Sequence, residues 1–369
     1  LDLPGVYAAG RLDADSEGVE GKFYVWTKEE VDNVLGDDAA IFSAYYNITA
    51  AGNWEHGNSI LLRNETDVAV AEAFKITVEE LKSKIDAAKV KLMQVRNSRI
   101  KPGLDDKILS SWNALMITGY AKAYRVFGEE AFLNAAVTNA NFLLKKAIAA
   151  DGEMTRNYKN GRSSINALLD DYSFTIAAFI ELYQATFDEK WLTEANKITS
   201  YTLEHFFDAS SGMFFYTHNQ YADLIARKME LSDNVIPSSN SEMAKNLFLL
   251  GHFLNKDEYI SKAKQMLINV EADVQRNIYF YANWGMLQAL FTSPLYEVAI
   301  MGDDFKNKRQ QFDEHYLPTV ILLGANAASK LALLEDKLVQ GQTMIYVCRD
   351  KTCELPVGEV EEALWQIGK

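Results

Sequence analysis

A repeat constrains this chain more than any other feature of its sequence. Leu104-Asp105-Asp106-Lys107 and Leu169-Asp170-Asp171-Tyr172 each open a long apolar stretch, and the two acid pairs stand 65 positions apart. A third polar start, Ser238-Ser239-Asn240-Ser241, follows Asp170 by 68 positions. A period of that length fits a pair of helices, which cannot bury its apolar faces alone and must stack on its neighbours. After the first acids, Ile108, Trp112, Leu115, Met116, Gly119, Ala123 and Val126 fall at helix spacing, while Ala114, Ile117 and Tyr120 fill the opposite side. Residues 172–187 and 243–254 read the same way, as helices buried all round. Each is followed by a short turn and a more amphipathic helix with a shared signature: Phe132-Leu133 with Ala136, Trp191-Leu192 with Ala195, and Tyr259-Ile260 with Ala263. Such short connections force antiparallel neighbours.

The fold expected is mainly α: an α/α toroid of helical hairpins, with buried inner helices pointing one way and amphipathic helices outside. A fourth inner helix is expected over residues 279–291, and an outer helix over 78–95 ahead of the first acids. Residues 1–62 read as an irregular N-terminal segment with Gly-rich loops, a strand at 22–26 and two short helices. Residues 63–292 form the hairpin region, and 293–369 a small C-terminal α/β subdomain. The strands there, 296–301, 319–323 and 344–347, alternate with helices and suggest a parallel sheet.

With 369 residues, 48% of them hydrophobic, the chain can bury a large core. A net charge of −14 with no basic stripe argues against nucleic acid or an anionic membrane as partner. The longest apolar run, 278–291, is interrupted by Asn283 and Gln288 and is too short to span a bilayer. Two cysteines in so long a chain point to a reducing, cytoplasmic setting; Cys348 and Cys353 could form a disulfide or bind a metal with outside help, and two free thiols are the expectation. The five histidines show no metal-ligand spacing, so neither a metal nor another cofactor is expected. Asp13-Ala14-Asp15-Ser16-Glu17-Gly18 starts like a calcium loop, but its twelfth position is Tyr24 where an acid is required. There is no Gly-rich phosphate loop and no nucleophile elbow.

The acids carry the candidate chemistry. Asp105 with Asp106, and Asp170 with Asp171, sit where a helix N-cap belongs, and capping accounts for one acid per helix. The second acid of each pair would face a common mouth at the helix starts. Two carboxylates across a cavity suit glycosidic hydrolysis, roughly 6.5–9.5 Å apart for inversion and about 5–5.5 Å for retention. Asp106 and Asp171 are therefore the catalytic candidates, one as general acid and the other as base or charge stabiliser. Asp105, Asp170, Trp112, Asn113, Tyr172 and Asn240 are candidates for substrate binding at the same mouth. Ser239 and Glu242 stand at capping-box spacing. The loop Gly52-Asn53-Trp54-Glu55-His56-Gly57-Asn58 adds Trp54 as a ring platform and Glu55 as an acid. His218, on a return loop, is a further candidate for proton donation.

Several of these stretches also resemble the thioredoxin-domain-containing family of spermatogenesis-associated protein 20. They are Asp13–Gly18, Glu20-Gly21-Lys22-Phe23-Tyr24-Val25-Trp26, Gly52-Asn53-Trp54-Glu55, Leu104–Lys107 with Ser111-Trp112-Asn113, and Leu169–Tyr172. Pro237-Ser238-Ser239-Asn240-Ser241 and Cys348–Cys353 with Leu355-Pro356-Val357 complete the series, in family order from end to end. The resemblance implies an (α/α)6 barrel related to the N-acylglucosamine 2-epimerase and six-hairpin glycosidase folds. Here the barrel would be incomplete, without the family's thioredoxin domain and first hairpins. No Trp-Cys-x-x-Cys motif occurs, so the family's thioredoxin-type redox activity is not expected in this chain. Epimerases of that fold use histidine bases, and no inner-helix start here supplies one. The function expected is binding or processing of a sugar, by hydrolysis or isomerisation if catalytic. The alternative is a non-catalytic binding module, or a scaffold partnering a thioredoxin-like domain in the full-length protein.

Overall fold

The computed structural model describes residues 9–220 and 226–368. Helix makes up 53% of the structure, and the chain divides into two compact units, Gly10–Asp106 and Lys107–Lys369. No described helix is long and apolar enough to cross a membrane.

In the first unit a small hairpin, β1 (Asp15–Ser16) with β2 (Val19–Glu20), precedes β3 (Trp26–Thr27), which pairs antiparallel with β4 (Asn58–Ser59). Four helices follow the chain: α1 (Lys28–Leu35), α2 (Ala39–Tyr45), α3 (Asp67–Phe74) and α4 (Val78–Ser98). Capping boxes start α1 (Thr27 with Glu30) and α4 (Thr77 with Glu80). The strand expected at 22–26 is instead a turn: Tyr24 and Val25 both donate to Gly21 O, at 2.8 and 3.2 Å, so neither amide is free to join a ladder. Residues 78–95, expected as an outer helix of the hairpin series, belong to α4, which packs on α1 and α3 around Val31, Phe42, Leu81 and Ile85. Arg99 closes this core. Its guanidinium lies 4.0 Å from the Trp26 ring centroid, donates to Phe23 O and Val25 O at 3.1 and 2.8 Å, and pairs with Glu30 at 3.0 Å.

The second unit holds the hairpins. Strand β5 (Leu104–Leu109) leads into α5 (Ser110–Phe127) and α6 (Glu130–Lys146), and a return through β6 (Asn157–Lys159) and β7 (Arg162–Ser163) reaches α7 (Leu169–Thr186) and α8 (Lys190–His205). Strands β8 (Phe207–Asp208) and β9 (Met213–Phe214) precede α9 (Ser239–Phe253), α10 (Asp257–Arg276) and α11 (Ala282–Thr292). Helices α5, α7, α9 and α11 stand side by side in that order, with α6, α8 and α10 each packed on its hairpin partner. The sequence reading placed Asp105 and Asp106 at the start of α5, and here the structure differs. Ile108 and Leu109 pair with Tyr158 and Asn157, and Ser110 N–H donates to Arg156 O at 2.8 Å. Those bonds keep Ile108 and Leu109 extended, so α5 starts only at Ser110 and both acids lie in the strand before it. In α7 only Ala177, Glu181 and Thr186 escape full burial.

Beyond α11 comes a four-stranded sheet: β10 (Tyr296–Met301), then α12 (Phe305–Asp313), β11 (Val320–Ala325), β12 (Met344–Arg349), β13 (Thr352–Cys353) and finally α13 (Val360–Ile367). The sheet is mixed rather than parallel. α12 carries the crossover that sets β11 parallel to β10, but residues 326–343 form only turns, and β12 returns antiparallel. Side chains alternate as strands require: Ala299, Met301, Ile321 and Leu323 join the helical core, while Val298, Ile300, Leu322 and Val347 pack with α12 and α13. Cys348 and Cys353 are cross-strand partners in the β12–β13 hairpin and form a disulfide, not the two free thiols expected. At Gly324 the strand passes so close to α7 that a Cβ would lie 2.5 Å from the Phe187 ring and 2.7 Å from Ile300 O. Gly324→Ala is expected to lower stability by about 1–3 kcal/mol through overpacking, read as a lower midpoint in urea; an unchanged midpoint would show that strand and ring can separate.

Candidate functional site

The starts of α5 and α7 share one acid. Each helix is preceded by a leucine, Leu109 or Leu168, which offers no side-chain acceptor to the orphan amides of the first turn. Asp171 supplies both. Its Oδ2 accepts from Leu168 N–H at 3.0 Å, in its own helix, and its Oδ1 accepts from Ser111 N–H of α5 at 2.9 Å. Arg156 Nη1 donates to Asp171 Oδ2 and to Asp170 Oδ1, at 2.9 Å each. Burial, together with the neighbouring Asp170 charge, pushes the fully buried Asp171 carboxyl up to about 7, against the opposing pull of Arg156 and the two amides. Burial weighs against the Arg156 charge, but Asp171 and Asp170 outweigh it and hold the guanidinium protonated. Beside them Tyr172 accepts from Met154 N–H at 2.9 Å and stacks on Tyr201, with 5.8 Å between ring centroids.

The start of α9 is built differently. Ser238, not Ser239, is its cap, accepting from Ser241 N–H at 3.1 Å. The capping box expected from Ser239 and Glu242 does not form, because Glu242 turns to Lys245 and Asn283. Asp233 joins α9 to α11: Oδ1 accepts from Ser238 N–H and Ser241 Oγ, and Oδ2 from Asn283 N–H, all at 2.8 Å. Asn240 is buried and pins strand β9 with two bonds to the Phe214 backbone, at 2.8 and 2.9 Å.

A cavity of about 430 Å³ lies along the exposed edge of this helix row, lined by residues of α5, α7, α9 and α11 and, opposite them, by Asp313, Tyr316, Leu317 and Ile321. Its acids are Glu181 and Glu242 on the helix side and Asp313 of α12. Glu181 faces Lys122 at 3.6 Å and Arg125 at 3.9 Å. Glu242, buried, holds Lys245 Nζ at 2.7 Å and Asn283 Nδ2 at 3.0 Å on one oxygen, Oε2. Asn246 donates to Ser173 O at 2.7 Å, while its own buried Oδ1 has no partner. These residues were missed as candidates. The available signal was a charged or amide side chain set into a helix otherwise apolar on every side, as Glu181 is in α7 and Lys245-Asn246 are in α9.

The structure brings some of the sequence-predicted residues together and separates others. Asp170, Asp171 and Tyr172 form one cluster at the start of α7, and none of them, nor Asn240, lines the cavity. Asn113 is buried in the α5–α6 hairpin, donating to Leu109 O and accepting from Asn139. Trp112, one residue earlier, is 40% exposed. His218 is buried, with Nε2 3.1 Å from Tyr201 Oη and Nδ1 accepting from Gln220 N–H. Burial and the stacked His205 hold its pKa below the usual histidine value. Asp105 and Asp106 belong to the first unit, as do Trp54 and Glu55. Trp54 and Glu55 are exposed on a turn that Asn53 fixes through two bonds to Ile60, at 2.8 and 3.0 Å.

No family model matches the chain. It is similar to human spermatogenesis-associated protein 20, 26% identical over 96% of this chain and 50% of that protein. It is also similar to an uncharacterised protein of Caenorhabditis elegans, 28% identical over 97% of this chain and 54% of the other. The chain thus spans about half the length of the curated relatives it matches. Among solved structures it is similar to the GH76 α-mannanase BT2949 of Bacteroides thetaiotaomicron (TM-score 0.41, 14% identity, 68% of this chain and 75% of that one). A D-mannose isomerase aligns at TM-score 0.38 and 15% identity, over 45% of this chain and 41% of that one.

Burial and the neighbouring Asp170 charge raise the Asp171 carboxyl to about 7 in the folded protein, from 3.8 when it is unfolded. Its contribution to stability is whole below the unfolded value and is lost as the pH rises through the folded one. The stability of the native protein relative to Asp171→Asn is therefore expected to fall between about pH 4 and pH 7 in thermal unfolding and to level off above that. A constant difference across that range would show that Asp171 is ionised throughout.

Proposed function

We propose that this chain binds a small sugar in the cavity along α5, α7, α9 and α11, the hairpins forming part of an α/α barrel with the C-terminal sheet as its neighbouring subdomain. The observation that carries this reading is Asn246 Oδ1, a buried acceptor with no partner among the described residues, on a residue that lines a cavity together with the charged Glu181, Glu242, Lys122 and Lys245. A buried acceptor left unmade is costly, and a hydroxyl donor entering the cavity would satisfy it. Sugar hydroxyls also accept, which matches Lys122 and Lys245, and they donate to Glu181 and Glu242. The cavity volume of about 430 Å³ suits a small ligand.

If the bound sugar is processed, Glu242 and Glu181 on the helix side of the cavity are the acids proposed to act on it, and hydrolysis or isomerisation is the reaction class. A second reading leaves proton transfer with Asp171, on the ground that its carboxyl sits near neutrality. Against it, both Asp171 oxygens already hold helix starts. A module that scaffolds a thioredoxin-like domain is the non-catalytic alternative.

Titration calorimetry against a panel of neutral mono- and disaccharides tests the proposal. At least one member should give heat with the native chain, and Glu242→Gln and Asn246→Leu should each weaken it about tenfold or more. Heats that both variants leave unchanged would place the ligand elsewhere, and a panel without heat would favour the scaffold.

A further inference from the structure

The Cys348–Cys353 disulfide has surroundings that an inert cross-link does not need. Cys348 is buried, whereas Cys353, its partner across the hairpin, is exposed. Lys337 Nζ lies 3.5 Å from Cys348 Sγ and otherwise donates to the backbone at Leu333 O. Burial holds the Lys337 pKa below the ordinary lysine value. On the other neighbouring strand Glu297 stands directly opposite Cys348, so the two side chains share a face of the sheet. Glu297 Oε1 accepts from His252 Nδ1 at 2.8 Å, and its buried Oε2 has no partner. His252 and Glu297 open on a cleft of about 530 Å³ that is also lined by Arg349, Asp350 and Lys351 of the hairpin loop.

We propose that Cys348–Cys353 is an exchange-active disulfide, reduced by thiols that attack the exposed Cys353 and release Cys348 beside Lys337. In the first step a thiolate bonds to Cys353 Sγ. The sulfur–sulfur bond breaks, and its electron pair leaves on Cys348 Sγ, where the Lys337 ammonium stabilises the new thiolate. Attack requires a deprotonated thiol, which gives up its proton to solvent at the exposed Cys353. A second thiol then attacks the mixed disulfide at the incoming sulfur and releases Cys353. Two thiols are thereby oxidised to one disulfide, and the protein disulfide gains two electrons and two protons. A cation beside the leaving sulfur lowers its pKa and speeds departure. This chemistry is independent of the sugar cavity and of any Trp-Cys-x-x-Cys motif.

Reduced glutathione, added to the native chain, is the probe. Mass spectrometry should show the pair reduced while circular dichroism shows the fold retained. Lys337→Met should slow the reduction about fivefold, and Lys337→Arg should restore it. In Cys348→Ser, oxidised glutathione should leave its adduct on Cys353; in Cys353→Ser the buried Cys348 should stay unmodified. A disulfide that survives glutathione in the folded chain would overturn the proposal without recourse to any variant. So would an adduct on Cys348, or a Lys337→Met rate equal to the native one.

Discussion

The packing of the second unit depends on one carboxylate shared between two helix starts. A helix leaves its first amides without partners, and burying them unsatisfied costs more than any single side-chain contact returns. Leu109 and Leu168 cannot serve, so Asp171 takes an amide from each of α5 and α7 and fixes their relative height. Arg156, delivered by the return loop, donates to both acids and ties that loop to the start of α7. Everything lining the cavity on α5 and α7 inherits its position from this junction.

The opposite wall is set by the C-terminal sheet. Arg125 of α5 pairs with Asp313 of α12 at 2.8 Å, and Gln184 of α7 accepts from Leu322 N–H of β11 at 3.3 Å. The inner helices α5 and α7 therefore meet the C-terminal subdomain through polar bonds, to α12 and to the sheet, as well as through the apolar layer of Ala299, Met301, Ile321 and Leu323. The cavity is a gap between two surfaces pinned independently of any ligand, which favours a preformed site.

Much of this architecture was legible in the sequence because its signal is local. α7, α9 and α11 appear where all-round apolar spacing put them, and the short turns named their hairpin partners. What failed was non-local. Leu104-Asp105-Asp106-Lys107 and Leu169-Asp170-Asp171-Tyr172 look alike, yet after the first the helix is delayed because Ile108 and Leu109 pair with Tyr158 and Asn157, some 50 positions away in sequence. The acid that caps α5 comes from α7, a substitution that no local pattern reveals. The direction of β12 was misread because residues 326–343 lack the crossover helix that a parallel return requires. The cavity residues were overlooked for a simpler reason: an isolated Glu181 or Asn246 breaks no repeat and matches no motif.

Asn246 also bears on selectivity. A buried acceptor without a partner does not reward shape alone; it penalises any guest that cannot donate to it. Two ligands of equal size, one with a hydroxyl at that point and one with hydrogen, would be separated by the cost of leaving the carbonyl oxygen unpaired rather than by any difference in fit. Discrimination in such a cavity works by refusal, and the side chain responsible need take no part in whatever reaction follows.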